Sequence, residues 1–388
     1  MTYHTVKWAG LALVLCVGMA AHAGQGVTKD QIVVGSLQDL SGPAAGFGKA
    51  LKNGLQMRAD EINETGGING RKIKLVIEDS GYDPKKALLA AQKMVQQDKI
   101  FAMVGTLGTP VAMASFQPLF EKNVPNLLPL TAARDMYEPL SKLKFSFAAP
   151  YYDQMRMGVK WMVKERGAKK FCAIYQDDEF GLEVFRGAEQ GLKDMHQDFA
   201  EKTTFKRGAT DFSAQVAKMK SSGCDTVVLG TIIRETIGTI GTAKKMGWDP
   251  QFLGSSAAYT DLIHKLGGKA MDGLYATFQT GVPYMDDPSK NVREWGARYK
   301  AKFNEDPGLF SAYAYIVLDM FYRAAEKAGP NLTTESLANA FETISFPRDM
   351  FGSPEFKFGK TDHLGNKRSR MGQIQNGKWV ALTDYLDN

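Results

Sequence analysis

Met103-Val-Gly-Thr-Leu-Gly-Thr-Pro-Val-Ala-Met-Ala-Ser115 joins a short apolar run to a Gly-Thr turn and then to a helix that opens on Pro110. A strand ending in Gly105, Thr109 as N-cap and proline at the first helical position bring several backbone N–H groups to one point. The helix dipole adds roughly half a positive charge there, so the point suits a carboxylate better than a cation. A threonine before proline more often does nothing but cap its helix, and the case for a site rests on the flanking chain.

On both sides, runs rich in Val, Ile and Leu alternate with amphipathic stretches, the pattern of βαβ units and parallel sheets. Strands are expected at 31–37, 72–78, 100–104 and 124–128, with helices at 47–63 and 84–97, the second capped by Asp83. After Pro150 the layout repeats. Helices are expected at 151–165, 180–195, 212–221 and 235–246, with strands at 170–175, 200–205, 226–230 and 251–254. Two open sheets facing each other would make a cleft lined by the loops that follow their strands. Farther on, 271–280 reads as a strand and 291–303, 311–327 and 335–343 as helices, with a short strand at 378–383. Tyr313, Ile316, Val317, Met320 and Phe321 give the longest of these helices an apolar face, read as core.

The first 23 residues have the layout of an export signal. Lys7 precedes an apolar run from Ala9 to Ala20 that is too short to span a bilayer, and Ala21-His-Ala23 is an A-x-A cleavage site before Gly24. Val14-Leu15 do not fit a lipid anchor at Cys16. No later stretch reads as a transmembrane helix, so a mature chain in the periplasm is expected. Of 388 residues, 365 remain after these 23, enough for two lobes each with its own core. The formal charge of +6 comes from interspersed residues and leaves no nucleic-acid footprint. Cys172 and Cys224 lie in or beside predicted strands, where a bridge or two buried thiols would both fit.

Catalytic signals are sparse. His196, His264 and His363 are isolated and lack metal-ligand spacing, so neither a metal nor a cofactor is expected. No G-x-S-x-G elbow or Walker A loop occurs. Asp177-Asp178-Glu179 reads more readily as the acidic start of a helix than as paired catalytic carboxylates. A secreted α/β hydrolytic enzyme using Asp177 or Asp178 as a base is therefore the weaker class, and a sensor domain the third.

Several loops carry a resemblance. Asp39-Leu-Ser-Gly-Pro-Ala-Ala-Gly-Phe-Gly48, Ala59-Asp-Glu-Ile-Asn63, Gly66-Gly-Ile-Asn-Gly-Arg-Lys72 and Glu78-Asp-Ser-Gly-Tyr-Asp-Pro84 are similar to the periplasmic type I substrate-binding proteins of ABC transporters. The likeness is to the leucine/isoleucine/valine-binding branch, and it continues through Val104-Gly105, Gln176 to Gly181, Thr210-Asp-Phe-Ser213 and Phe252-Leu-Gly254. It implies an α/β, two-lobed periplasmic-binding-protein type I fold, each lobe an open, mostly parallel sheet flanked by helices, with three hinge crossings. Lobe one would be 24–149 plus 281–350 and lobe two 150–280 plus 351–388, with crossings near 149–150, 278–281 and 350–353. It also implies a monomer without enzymatic activity that closes on a small molecule and delivers it to a membrane permease.

Carried onto this sequence, the family's carboxylate site falls on Thr109 and the turn Thr131-Ala132-Ala133. Its aromatic covers fall on Phe47 and Phe180, and a further pocket position on Ile232, with Thr231 or Ile233 as one-residue slips. Where the amino acid binders place a glutamate for the ammonium group, this chain has Ser256. An unpaired buried ammonium costs several kcal/mol, so the replacement favours an aromatic or branched carboxylate without an amino group. Tyr151 and Tyr152 would add aromatic wall, and Ser256 and Tyr259 would bond a distal hydroxyl. Branched-chain or aromatic amino acids rank second and amides third. Asp177 or Asp178 would restore an ammonium partner, and Arg134 or Arg234 would pair a second ligand carboxylate, if either faced the cleft.

Overall fold

The computed structural model describes Met1 and residues 24–387. The export signal expected in the first 23 residues lies, apart from Met1, outside them. The first sheet is wholly parallel, in the order β2-β1-β3-β4-β5. Its strands are β1 (Gln31–Gln38), β2 (Lys72–Asp79), β3 (Ala102–Val104), β4 (Asn126–Leu127) and β5 (Lys144–Phe145). Inner strand β1 is buried along seven of its eight residues, whereas edge strand β2 mixes exposed lysines with apolar neighbours. Helices α1 (Ala45–Glu64), α2 (Pro84–Gln96) and α3 (Thr109–Phe120) make the crossovers. Asp83 accepts from the N–H groups of Lys85 and Lys86, as its place before Pro84 predicts.

The second sheet has the order β14-β13-β10-β9-β8-β6-β7. Helix α4 (Tyr151–Arg166) leads to β6 (Phe171–Gln176), α5 (Glu179–Asp194), β7 (Phe199–Phe205), α6 (Ser213–Ser221) and β8 (Thr226–Gly230). Then come α7 (Ile233–Lys245), β9 (Gln251–Gly254), α8 (Asp261–Gly267) and β10 (Tyr275–Phe278). The chain returns to the first lobe as α9 (Lys290–Phe303), α10 (Leu309–Ala328) and α11 (Thr334–Thr343), followed by β11 (Ser345–Phe346) and β12 (Phe356–Lys357). It ends as β13 (Arg370–Gln375) and β14 (Lys378–Ala381), added antiparallel to the second sheet. Helix α10 packs along α1 so closely that a Cβ on Gly54 would stand 2.2 Å from the Ser311 carbonyl oxygen. Cys172 on β6 and Cys224 just before β8 form a disulfide.

One expected boundary moves. Residues 351–366, assigned from the sequence to lobe two, belong with lobe one. Strand β12 pairs with β11, the Gly365 N–H donates to the Ser146 carbonyl, and Phe358 and His363 pack on the Phe145 ring. His363 is buried there, its Nδ1 near the Ser141 and Lys144 carbonyls. The third crossing is therefore at 366–369, between Gly365, bonded to Ser146 of the first lobe, and Ser369, whose N–H donates to the Leu386 carbonyl beside the second sheet.

Candidate functional site

The loops after the strands of both lobes converge on one cavity of about 610 Å³, counting its open mouth. Its polar pole is the turn between Gly105 and Pro110. Gly108, with φ of 94°, is the residue before helix α3, and Thr109 is the first helical residue. The expected N-cap is thus displaced by one position. No side chain caps this helix. The Gly108 position also admits no Cβ, which would lie 2.4 Å from the Tyr82 ring. Freed from capping, the Thr109 hydroxyl bonds that of Thr131 at 2.5 Å, both buried. The Thr131 side chain is also hydrogen-bonded to the Tyr151 hydroxyl, and the Tyr151 N–H donates to the Ala132 carbonyl at 2.8 Å. The first-turn N–H groups of α3 have no partner within their own helix. Hydroxyls from both lobes and a helix N-terminus therefore meet at one pole.

Eight of the residues expected from the sequence line this cavity. Phe47, Thr109, Thr131 and Ala132 come from the first lobe; Tyr151, Phe180, Ile232 and Ser256 come from the second. Three others do not. Ala133 is buried with Ala112 and Met136 beneath α3. Tyr152, one residue on from Tyr151 and so turned about 100° around α4, lies under the Arg134 guanidinium at 4.1 Å. Tyr259 stacks on Phe278 at 4.3 Å and leans on Trp379, fully enclosed.

Sequence reasoning missed Tyr82, Phe147, Phe310, Tyr313 and Gln279, all on the cavity wall. Phe310 stacks on Phe47 with ring centroids 3.9 Å apart, making a flat aromatic panel. Tyr313 is part of the core, as the apolar face of α10 predicts, and from the second turn of that helix it also reaches the cavity wall. Tyr82 belongs to the Glu78–Pro84 motif, where nothing local marks it as a wall residue. Burial pushes the Tyr151 hydroxyl up to about 12, against hydrogen bonds to Thr131 and Ala132 that pull it down. Burial also raises Tyr82 and Tyr313, so all three stay protonated at neutral pH.

Among the described residues, none that lines the cavity is charged. The charged candidates point elsewhere. Asp178 caps α5 through the N–H groups of Phe180 and Gly181, and its other oxygen accepts from Gln176 and Arg207. Asp177 and Arg234 are exposed. Arg134 makes a two-pronged pair with Glu183 of α5, Nε to Oε2 at 2.9 Å and Nη2 to Oε1 at 2.7 Å, across the mouth between the lobes. Asp261 of the second lobe accepts from the Leu309 N–H at 3.0 Å, capping α10 of the first lobe from across the cleft. The Arg207 guanidinium lies 5.4 Å from the Tyr82 ring centroid, a third contact of this kind.

The family described as periplasmic binding protein matches residues 31–378. A leucine-, isoleucine-, valine-, threonine- and alanine-binding protein of Pseudomonas aeruginosa is 27% identical over 336 residues, 85% of this chain and 88% of that one. A leucine-specific-binding protein of Salmonella typhimurium is 25% identical over 357 residues, 87% and 91% of the two chains. Among solved structures, a fatty acid ABC transporter substrate-binding protein from Thermomonospora curvata superposes with a TM-score of 0.85 at 23% identity, covering 95% of each chain. The isoleucine complex of LivJ from Streptococcus pneumoniae gives 0.77 at 23% identity, over 92% of this chain and all of that one. With the whole length from first strand to last matched and two α/β lobes closed around one cavity, this chain belongs to the type I periplasmic binding proteins of the leucine/isoleucine/valine-binding family.

Proposed function

We propose that the protein is the extracytoplasmic solute receptor of an ABC importer and that it holds a small carboxylate without an amino group, aromatic or branched, between its lobes. The carrying observation is a cavity with an anion-suited pole and, among the described residues, no charged side chain on its wall. A carboxylate there is met by hydroxyls and helix N–H groups, which stabilise an anion by oriented dipoles. An ammonium group has no carboxylate to pair with, and stripping its water without one costs several kcal/mol. The paired rings of Phe47 and Phe310, with Phe180 and Ile232 from the facing lobe, supply the apolar contact for an aryl or branched chain. The closed form, a monomer, is what the membrane permease receives. The export signal accords with a periplasmic location, and engagement of Asp178 in cap and ion pair favours binding over chemistry.

A branched-chain amino acid is the second reading, favoured by the names of the P. aeruginosa and S. typhimurium relatives. A thermal-shift screen of residues 24–388 against benzoates, phenylacetates, branched 2-oxo acids and the standard amino acids separates the two. A ligand at 100 times its Kd adds about 2.7 kcal/mol of stability. Carboxylates lacking an amino group should raise Tm while leucine and phenylalanine do not. Stabilisation by leucine alone would reverse the assignment.

A further inference from the structure

The three crossings between the lobes meet at one side chain. Gln279 follows β10 at the second crossing; its Oε1 accepts from the Ala149 N–H of the first at 3.1 Å and from Asn366 Nδ2 of the third at 3.2 Å. The orientation of its amide is fixed by those donors. Asn366 is itself held by Arg368, whose N–H donates to Asn366 Oδ1 and whose carbonyl accepts from Nδ2, so Asn366 cannot present an oxygen to Gln279. The oxygen of Gln279 is consumed by the hinge. Its Nε2, which carries two N–H donors, is buried and has no partner, although the residue is only 3% exposed and lines the cavity. Among the described residues of that wall it is the one bearing a buried polar atom without a partner. Leaving such a donor unmatched carries a desolvation penalty that a bound acceptor removes.

We infer that Gln279 is a specificity-determining contact, donating from Nε2 to an oxygen of the bound solute. Resting on the reading of the cavity as a solute site, this adds a second polar point to the Thr109–Thr131 pole and selects solutes with an oxygen placed to meet the hinge. Neighbouring Gln154 has no such capacity. Its Nε2 donates to the Ala149 carbonyl, its Oε1 accepts from the Ser256 N–H and the Thr277 hydroxyl, and it does not reach the cavity wall.

The test uses Gln279→Glu, which keeps an oxygen for Ala149 and Asn366 and replaces the free donor by an acceptor. Kd is measured by calorimetry for matched probes with and without a second oxygen: 4-hydroxybenzoate and benzoate, 4-hydroxyphenylacetate and phenylacetate, 4-methyl-2-oxopentanoate and 4-methylpentanoate. Leucine and leucinamide are included. For at least one pair the oxygenated probe should bind the wild type ten-fold or more tightly than its partner. Q279E adds a negative charge to the wall and so weakens both members of every pair; the readout is the ratio within a pair, and the ten-fold preference for the oxygenated probe should fall to about one. A crystal structure with the tightest probe should place a solute oxygen within hydrogen-bond distance of Nε2. Equal loss for both members of each pair would reduce Gln279 to a hinge strut and overturn the inference, as would water or carbon at that position. Binding of leucine alone would sink the ligand class proposed above yet leave the inference to the crystal structure, which reads Nε2 in the leucine complex. Binding of none of the probes would sink both.

Discussion

The wall of the cavity and its rim treat charge in opposite ways. Inside, the polar work falls to hydroxyls and amides: Thr109, Thr131, three tyrosines, Ser256 and Gln279. At the mouth, charged side chains bridge the lobes: Arg134 pairs with Glu183, and Asp261 accepts from the backbone N–H at the head of α10. The difference follows from solvation. A neutral dipole is cheap to strip of water on closure and can still favour an anion, whereas a lone charge on the wall would cost several kcal/mol whenever the cleft closed empty. Rim charges regain their water when the cleft opens, so they bias closure without that penalty.

The harshest way to break this contrast is to put a charge on the wall. Ser256→Glu should lower carboxylate affinity about 100-fold or more, since two carboxylates would share a water-poor space. Calorimetry reads it, and unchanged affinity would show that the neutral wall is not what sets the ligand's charge. New binding of leucine by this variant would sharpen the case further. Removing one pole hydroxyl is milder. Thr109→Val keeps the shape and leaves Thr131 bonded to Tyr151; a hydrogen bond to a charged group is worth about 1.5–3 kcal/mol, so Kd should rise roughly 10- to 100-fold with Tm of the unliganded protein little changed.

The rim variant should do less. Arg134→Met unpairs Glu183 in the closed form only; the Arg134 side chain is 33% exposed and that of Glu183 7%, so solvent screens the pair from the arginine side alone. A loss of about 1 kcal/mol, near five-fold in Kd, is expected, carried by the dissociation rate and measured by stopped-flow fluorescence. If added salt weakens the wild type and R134M alike, the pair is not what salt screens.

The smallest effect concerns a carboxyl that belongs to neither region. Glu235 on α7 is fully buried with both oxygens unpartnered, and burial raises it above the ordinary glutamate range. Because the folded value is the higher one, its favourable contribution is complete below the unfolded value and is lost as pH rises through the folded one. Glu235→Gln should therefore match the wild type in Tm near pH 4 and exceed it at pH 7, by roughly 1–2 °C for each kcal/mol recovered. A constant offset across that range would assign the effect to packing instead of charge.

What the sequence determined by itself is what neighbours in the chain decide. Periodicity gave the alternation of buried strands and amphipathic helices, and Asp83 and Asp178 were legible as helix starts because a cap bonds N–H groups two or three residues away. The resemblance then brought Thr109, Thr131, Phe180 and Ser256 to a common cleft, and they line it together. Tertiary structure alone decided the rest. Tyr151 and Tyr152 are adjacent and chemically alike, but helix rotation sends one into the cavity and the other under Arg134, and only the docking of α4 says which. Tyr313 sits on an apolar face that no local pattern separates from core. Arg134 finds Glu183 at a sequence distance of 49, and Gln279 gathers donors from residues 130 and 87 positions away. Such partners are set by how two sheets and three crossings pack in space, because a side chain's solvent, charge and hydrogen bonds come from whatever folds against it, and the local sequence does not record what that will be.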